Sequence, residues 1–357
     1  MQAFYDLLQT LKERRGSDLH VKSGSEPFIR VDGNLVPLDF AVLSDEDVTR
    51  MIVPMLSDRQ RAVFDEGREV DFASSIPRFG RFRVNVFRQR GGLAFALRRI
   101  ASSELRIDQL GLPPAVQELA NEPRGLILVT GTAGSGKTST LAAMVNHINE
   151  TRRTHIVTIE DPIEVVHTDK LSMIDQREIG LDTESYAEAL KNVVRQDPNV
   201  ILIGEMRDAE TVGASVTAAE IGNLVLSTLH TIDATETISR IIDFFPPHHQ
   251  KQIRLMLAAT VKGVISQRLL PRIGGGQVVA SEIMLATATI KEYIVNEAYT
   301  SRILEAIEQG DYYGMHSFDQ SLLQLYSAGL ITKDDALFNC ANAHDFKLKA
   351  QAAGTPV

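Results

Sequence analysis

The chain has 357 residues, and 37 lysines and arginines against 46 acids leave a net charge of −9, so no general positive field favours nucleic acid. An apolar fraction of 44% with 23% charged residues is that of an ordinary globular protein, long enough for two domains and neither fibrous nor disordered. The single cysteine, Cys340, excludes a disulfide framework within the chain and any pair of Cys-x-x-Cys zinc ligands, and fits a reducing cytoplasm.

The first element is an amphipathic helix carrying Phe4, Leu7, Leu8 and Leu11, closed at Gly16. It has no cleavage site, and no apolar stretch anywhere reaches about 18 residues, so neither a signal peptide nor a membrane span is expected. Short strand-like runs follow at Asp18–Lys22, Pro27–Val31 and Arg81–Arg88, with turn signals at Asp32-Gly33 and Gly91-Gly92. Residues 1–100 therefore read as an antiparallel α+β domain. The stretch from Ala101 to Arg124, with Pro113-Pro114 and Pro123, reads as a linker holding one short helix.

From Gly125 to about Leu285, apolar strands alternate with amphipathic helices. Gly125–Thr130, Ile156–Ile159, Val200–Ile203 and Leu224–Thr228 are the strands, and the alternation predicts a parallel sheet with crossover helices. The tail from Ile290 is helical, as in Phe318, Leu322, Leu325 and Tyr326 ending at Gly329. There is no internal repeat and no low-complexity tract.

The segment Gly131-Thr132-Ala133-Gly134-Ser135-Gly136-Lys137-Thr138, followed by Ser139, fits the phosphate-loop pattern G-x-x-x-x-G-K-[ST] at every defined position. It lies between the apolar run Gly125–Thr130 and a helix whose stripe is Leu141, Met144, Val145 and Ile148, which is the context the pattern requires. Glycines let backbone N–H groups approach the phosphates, and the helix N-terminus adds partial positive charge. Lys137 then bridges the β and γ phosphates and the Thr138 hydroxyl ligates Mg²⁺, so ATP is the expected substrate and GTP the less favoured one.

Three further segments fall where the carboxyl ends of the strands should converge on a nucleotide. Thr158-Ile159-Glu160-Asp161-Pro162-Ile163-Glu164 ends a strand in acids whose like charges raise one another's pKa. Val200-Ile201-Leu202-Ile203-Gly204-Glu205 delivers one acid at an apolar strand tip, where Glu205 holds Mg²⁺ through water or polarises the attacking water. Arg207 and Asp208 follow at once and read as an ion pair with each other. Leu226-Ser227-Thr228-Leu229-His230-Thr231 ends a strand in a histidine placed to sense the γ-phosphate.

In this order the motifs resemble the secretion ATPases of the type II/IV superfamily, and within it the pilus-retraction ATPases of twitching motility. They look like that family's Walker A (131–138), Asp box (158–164), Walker B (200–207) and His box (221–231). Gly16-Ser17-Asp18-Leu19-His20, Gly80-Arg81-Phe82-Arg83-Val84-Asn85, Phe245-Pro246-Pro247-His248, Phe318-Asp319-Gln320-Ser321-Leu322 and Gly329-Leu330-Ile331-Thr332 extend the resemblance over nearly the whole chain. It implies a smaller α+β PAS-like N-terminal domain (1–100), a linker (101–121), a RecA-like P-loop ATPase domain (122–289) and a helical C-terminal region (290–357). It further implies a homo-hexamer, cytoplasmic and peripherally attached to the inner membrane, which acts on a platform protein of the pilus machine and in some systems beside a paralogous pilus ATPase.

Carried over by position, the resemblance makes Glu164 the general base, Glu205 a ligand of Mg²⁺-bound water and His230 a γ-phosphate sensor. Arg83, Arg98 and Arg124, with Arg81 behind them, occupy the places from which the family's arginines reach the nucleotide. Two departures stand out: Asn223 replaces the first histidine of the family's His box, and Thr289–Ile294 only loosely matches its C-terminal retraction element. An accessory paralogue dependent on a partner motor is the alternative. An assembly ATPase is disfavoured by the single cysteine, and a RecA-like helicase by the acidic balance and the absence of tryptophan.

Overall fold

The computed structural model describes residues 2–31, 34–102 and 105–352, and divides into two compact units, Met1–Ser102 with Pro162–Val166, and Ser103–Asp161 with His167–Val357. In the first, α1 (Gln2–Glu13) buries Phe4, Leu7, Leu8 and Leu11. It ends where Arg15 takes φ 52° and the Gly16 N–H returns to the Leu11 carbonyl at 2.8 Å. The six-stranded sheet combines β1 (Asp18–Lys22), β2 (Phe28–Val31), β3 (Asn34–Pro37), β4 (Val70–Ile76), β5 (Gly80–Gln89) and β6 (Gly92–Arg99) in the order β3-β2-β1-β6-β5-β4, antiparallel throughout. Helices α2 (Asp45–Ile52) and α3 (Asp58–Asp65) start in capping boxes at Ser44 and Ser57.

The turn expected at Gly91-Gly92 is a two-residue hairpin, with Gln89 paired to Gly92 and both central residues, Arg90 (φ 49°) and Gly91 (φ 81°), in the left-handed region such a turn demands. Asp32-Gly33 lies outside the described residues, though β2 and β3 on either side pair antiparallel. After the sheet, β7 (Ala101–Ser102) pairs in parallel with β10 (Val165–Val166), which is why the excursion 162–166 groups with the first unit.

The second unit is a seven-stranded sheet in the order β11-β9-β12-β13-β8-β14-β15. Its strands are β8 (Gly125–Thr130), β9 (His155–Glu160), β11 (Met173–Glu178), β12 (Val200–Ile203), β13 (Leu224–Leu229), β14 (Val261–Pro271) and β15 (Gln277–Leu285). All neighbours run parallel except β14 and β15, an antiparallel pair at one edge that the alternation of strands and helices does not announce. Strand residues alternate between two cores. Leu126, Leu128, Val157, Ile159 and Ile201 face the layer of α6 (Tyr186–Val193), α7 (Ala209–Ile221), α8 (Ala234–Asp243), α9 (Pro247–Thr260) and α10 (Ala288–Val295). Ile127, Val129, Ile156, Val200 and Leu202 face α4 (Pro114–Ala120) and α5 (Lys137–Thr151). Burial on both faces is why these strands read as continuous apolar runs. This is the RecA-like architecture.

A short α11 (Ile303–Glu308) leads to α12 (Phe318–Ser327), α13 (Lys333–Asn339) and α14 (Ala343–Ala352). Their own small core joins Phe318, Leu322, Ile331, Ala336 and Phe346 to Leu270 and Ala280 of the edge hairpin. Among the described residues no helix is long and apolar enough to cross a membrane.

Ile201, fully buried in the interior strand β12, should lose about 2–5 kcal/mol of stability on substitution by alanine, from lost transfer energy plus the residual cavity. Urea titration of the second unit's helical signal checks this; a loss under ~1 kcal/mol contradicts the packing described.

Candidate nucleotide-binding site

β8 sits between β13 and β14 with all six residues buried, and its tip carries the phosphate loop. Thr130 Oγ1 donates to Ser266 Oγ of β14 at 2.9 Å. Gly131 then turns at φ +142°, and a Cβ there would lie 2.5 Å from the Gln267 carbonyl oxygen and from Ser135 Oγ, so no other residue fits. A Cβ on Gly134 (φ +78°) would meet nothing within 4 Å and one on Gly136 (φ +91°) only Leu269 at ordinary contact distance, 3.7 Å, so both are required by their backbone conformation.

Lys137, the first residue of α5, is buried and donates from Nζ to the Gly131 and Thr132 carbonyls at 2.8 and 2.9 Å. Thr132, Ala133, Gly134 and Thr138 are exposed, and Ser139 is half-buried. The Ser135 hydroxyl is buried without a hydrogen-bond partner, and the helix presents its first N–H groups beside it. An orphaned hydroxyl, unspent helix amides and a loop closed by its own lysine fit a bound phosphate chain.

At the carboxyl edge the acids are not equivalent. Glu160 accepts from Thr158 Oγ1 at 2.6 Å and from Gln176 Nε2 of β11 at 3.2 Å. Glu205, its side chain only 14% exposed, is ion-paired with Arg207 Nη2, and His230 Nε2 stands 3.4 Å from its other oxygen. The hydrogen bond to Glu205 raises the Arg207 guanidinium above its ordinary pKa. The pairing expected between Arg207 and Asp208 is absent among the described contacts: Asp208 instead caps α7, accepting from the Thr211 N–H at 2.8 Å. A carboxylate just before a helix is drawn to its free amides, whereas the arginine reaches back to the strand tip.

Sequence reasoning missed Tyr186. Its hydroxyl lies 2.7 Å from where a Gly204 Cβ would be, roofing the tip of β12. Burial, and then the charges of Asp161 and Glu205, push that phenol well above its usual range. The signal was Gly204, a glycine ending an apolar strand, which marks close approach by another group. Among the described residues no set of three or more histidines, cysteines or acids converges as a metal cage.

Glu164 is exposed and makes no hydrogen bond or ion pair among the described residues; it is carried on the excursion 162–166, with the first unit, while Lys137 belongs to the second. Arg83 pairs with Asp71 at 2.6 Å. Arg98 donates to Asp18 at 2.7 Å. Burial works to raise the Asp18 carboxyl, but the Ser17 hydroxyl and Arg98 outweigh it and hold it below the usual range. Arg81 Nη1 donates to Ser75 Oγ at 3.5 Å, and Arg124 is exposed. Asn223 stands at the opposite edge of the sheet from His230, roughly 20 Å away at ~3.3 Å per strand residue. There it donates to the Pro198 carbonyl at 2.5 Å and closes the start of β13.

Residues 67–311 match the family described as type II/IV secretion system protein. The chain belongs to that family. Within it, the type IV pilus retraction ATPase PilT of Pseudomonas aeruginosa is 42% identical over 93% of this chain and 96% of its own length. The type IV pilus ATPase PilU of the same organism is 38% identical over 97% and 90%. A crystal structure of the pilus retraction motor PilT with bound ADP superposes with a TM-score of 0.88, at 42% identity, over 95% of this chain and 98% of that one.

The two kinds of glycine in the loop separate experimentally. Gly131→Ala, blocked by backbone, should abolish nucleotide binding and cost more than ~2 kcal/mol, whereas Gly134→Ala meets only the ~1–2 kcal/mol penalty of a left-handed residue. Thermal unfolding with and without ATP distinguishes them, and equal losses would contradict the close approach at Gly131.

Proposed function

We propose that this chain is a hexameric motor ATPase that hydrolyses ATP to power type IV pilus retraction, cytoplasmic and held peripherally at an inner-membrane platform protein. The observation that carries the reading is the phosphate loop itself, with its orphaned Ser135 hydroxyl and buried Lys137, on a chain 42% identical to PilT over nearly its whole length. Gly131 to Ser139 hold the phosphates, Lys137 neutralises the β and γ groups, and Thr138 contributes the protein oxygen to Mg²⁺. The ion supplies charge neutralisation of the transferring phosphoryl group.

Glu164 is the base that orients water. Two neighbouring acids are already engaged, Glu160 by Thr158 and Gln176, and Glu205 by Arg207 and His230, whereas Glu164 is exposed and unpaired among the described residues. Glu205 acts through its partners: a phosphate arriving near His230 and Arg207 competes with it for both cations. Arg83 is available to a nucleotide because its partner Asp71 is itself about two-fifths exposed, and such surface pairs contribute only ~0–1 kcal/mol. Arg98 gives up more, since releasing it leaves the buried Asp18 with less compensation. Arg124 completes the set.

The accessory, PilU-like reading drew its sequence support from Asn223, and that residue closes the amino end of a strand, far from the phosphate edge. The main-motor reading is therefore preferred, and the domain boundaries 1–100, 101–121, 122–289 and 290–357 are proposed with it.

Glu164→Gln should keep ATP affinity and lose turnover by ~10²–10⁴-fold, the usual general-base contribution. Near-normal turnover in that variant removes Glu164 from the role. Lys137→Ala should weaken ATP binding itself, read by equilibrium titration. In cells lacking the gene, pili should accumulate, and only the wild-type copy, not Glu164→Gln, should clear them; pili that vanish or stay unchanged would reverse the assigned direction.

A further inference from the structure

Glu282, on the edge strand β15, is 3% exposed, and no step described above uses it. Along one face of β15 the residues are Ala280, Glu282 and Met284. Ala280 belongs to the small core of α12–α14, and Met284 to the large core that holds α8 and α10. The acid is the polar break between the two.

Its Oε1 accepts the N–H of Ala234, the first residue of α8, at 2.9 Å, and the amino end of α12, at Phe318, also favours the ionised carboxylate. α8 begins just after His230. The loop between them is tightly specified: Asp233 caps α8 at Glu236 N (2.7 Å), the Thr231 and Thr237 hydroxyls meet at 2.6 Å, and Ile232 N–H donates to Glu236 at 2.9 Å. One buried carboxylate thus sits against the amino ends of two helices, one leading out of the γ-phosphate edge and the other opening the C-terminal helical region. Both helix dipoles favour its ionised form.

We propose that Glu282 is a positioning residue, a buried clasp that makes the seating of the His230 loop depend on the seating of the C-terminal helices. Its part in turnover rests on the ATPase reading; its part in coupling the two helix ends does not. The charged groups facing it are Asp233, on the α8 side, and Arg268 of β14. Arg268 is itself fixed by a 2.7 Å hydrogen bond to the Asn339 carbonyl and by its stack 4.1 Å over the Phe318 ring. Burial, opposed by the Ala234 hydrogen bond, raises the carboxyl from 4.5 to about 7. Ionised, it accepts from α8 and is drawn to the amino end of α12; protonated, it turns one oxygen into a donor and grips less well.

The sign of the stability effect follows. A carboxyl raised on folding favours the native state most below 4.5, and that contribution is lost as pH rises through about 7. Glu282→Gln, which cannot ionise, should therefore melt higher than wild type at pH 8 and no higher at pH 5, while gripping worse. A residue that served stability alone would not show that split.

The test is amide hydrogen exchange on the full-length chain, as protection factors from pH 6 to 8.5, for wild type and Glu282→Gln, beside kcat and KM for ATP. Wild type should lose protection at Ala234 and Phe318 together as pH falls through about 7. Glu282→Gln should abolish that step, lower protection at Phe318, and reduce kcat by at least ~5-fold with KM nearly unchanged, the lower end of usual coupling between sites. Separate midpoints at the two amides, or no step in wild type, overturns the clasp even if the variant misfolds. Turnover lost with exchange at Phe318 unchanged overturns it too. If wild type shows no ATP turnover at all, the ATPase reading fails and the exchange data alone decide the clasp.

Discussion

Everything at the nucleotide edge depends on β8 being held at both ends by close backbone approach. At its start, a Cβ on Gly125 would meet the Thr260 carbonyl at 2.7 Å; at its tip, one on Gly131 would meet the Gln267 carbonyl at 2.5 Å. The strand is therefore bracketed by glycines on the side of β14, and past a bulge between Val261 and Gly263 its register against that strand is constant from Ile127 to Thr130. Because the register is fixed, the loop begins at one defined point, Lys137 finds the carbonyls of Gly131 and Thr132, and α5 starts with its amides turned into the loop. Such precision needs rigid support on both faces, which the two flanking cores supply.

The legible part of the fold was the part with strong periodicity. β1, β12 and the stripes of α1 and α5 lie where the apolar pattern puts them, because strands buried on both faces and helices buried on one leave unambiguous marks. β4 and β6 were not foreseen: β4 reads Val-Asp-Phe-Ala-Ser-Ser-Ile, with small and polar residues that resemble a loop, and its pairing with β5 is a non-local fact. The antiparallel edge of β14 and β15 was hidden for a related reason, since strand direction is set by connections and not by side-chain period.

The site divides in the same way. The phosphate loop is a local motif and could be read; the environment of each acid could not. Nothing in Asp-Pro-Ile-Glu tells that Glu160 is engaged by Gln176 of another strand, or that Arg207 turns towards Glu205 and leaves Asp208 to cap a helix. Asn223, noted as a departure at a motif position, lies at the amino end of β13 and donates to the Pro198 carbonyl, a placement that no local pattern announces.

A motor also needs a path from the phosphate edge to the surface that does work, and this sheet offers one on chemical grounds. The loop strand β8 is bonded through Thr130 to Ser266 of β14, and Ser266 lies opposite Glu282 of β15 in the antiparallel register. Three adjacent strands, β8, β14 and β15, thus carry a buried polar residue at the same level of the sheet. Buried polar groups are costly unless paired, so each must keep its partner, and a shift in one strand is felt by the next. Apolar contacts alone would let the C-terminal helices slide or repack with little penalty; a carboxylate shared by two helix N-termini does not, because moving either helix leaves a buried charge under-solvated. That is the physical reason an acid at this position can make two parts of the second unit move as one.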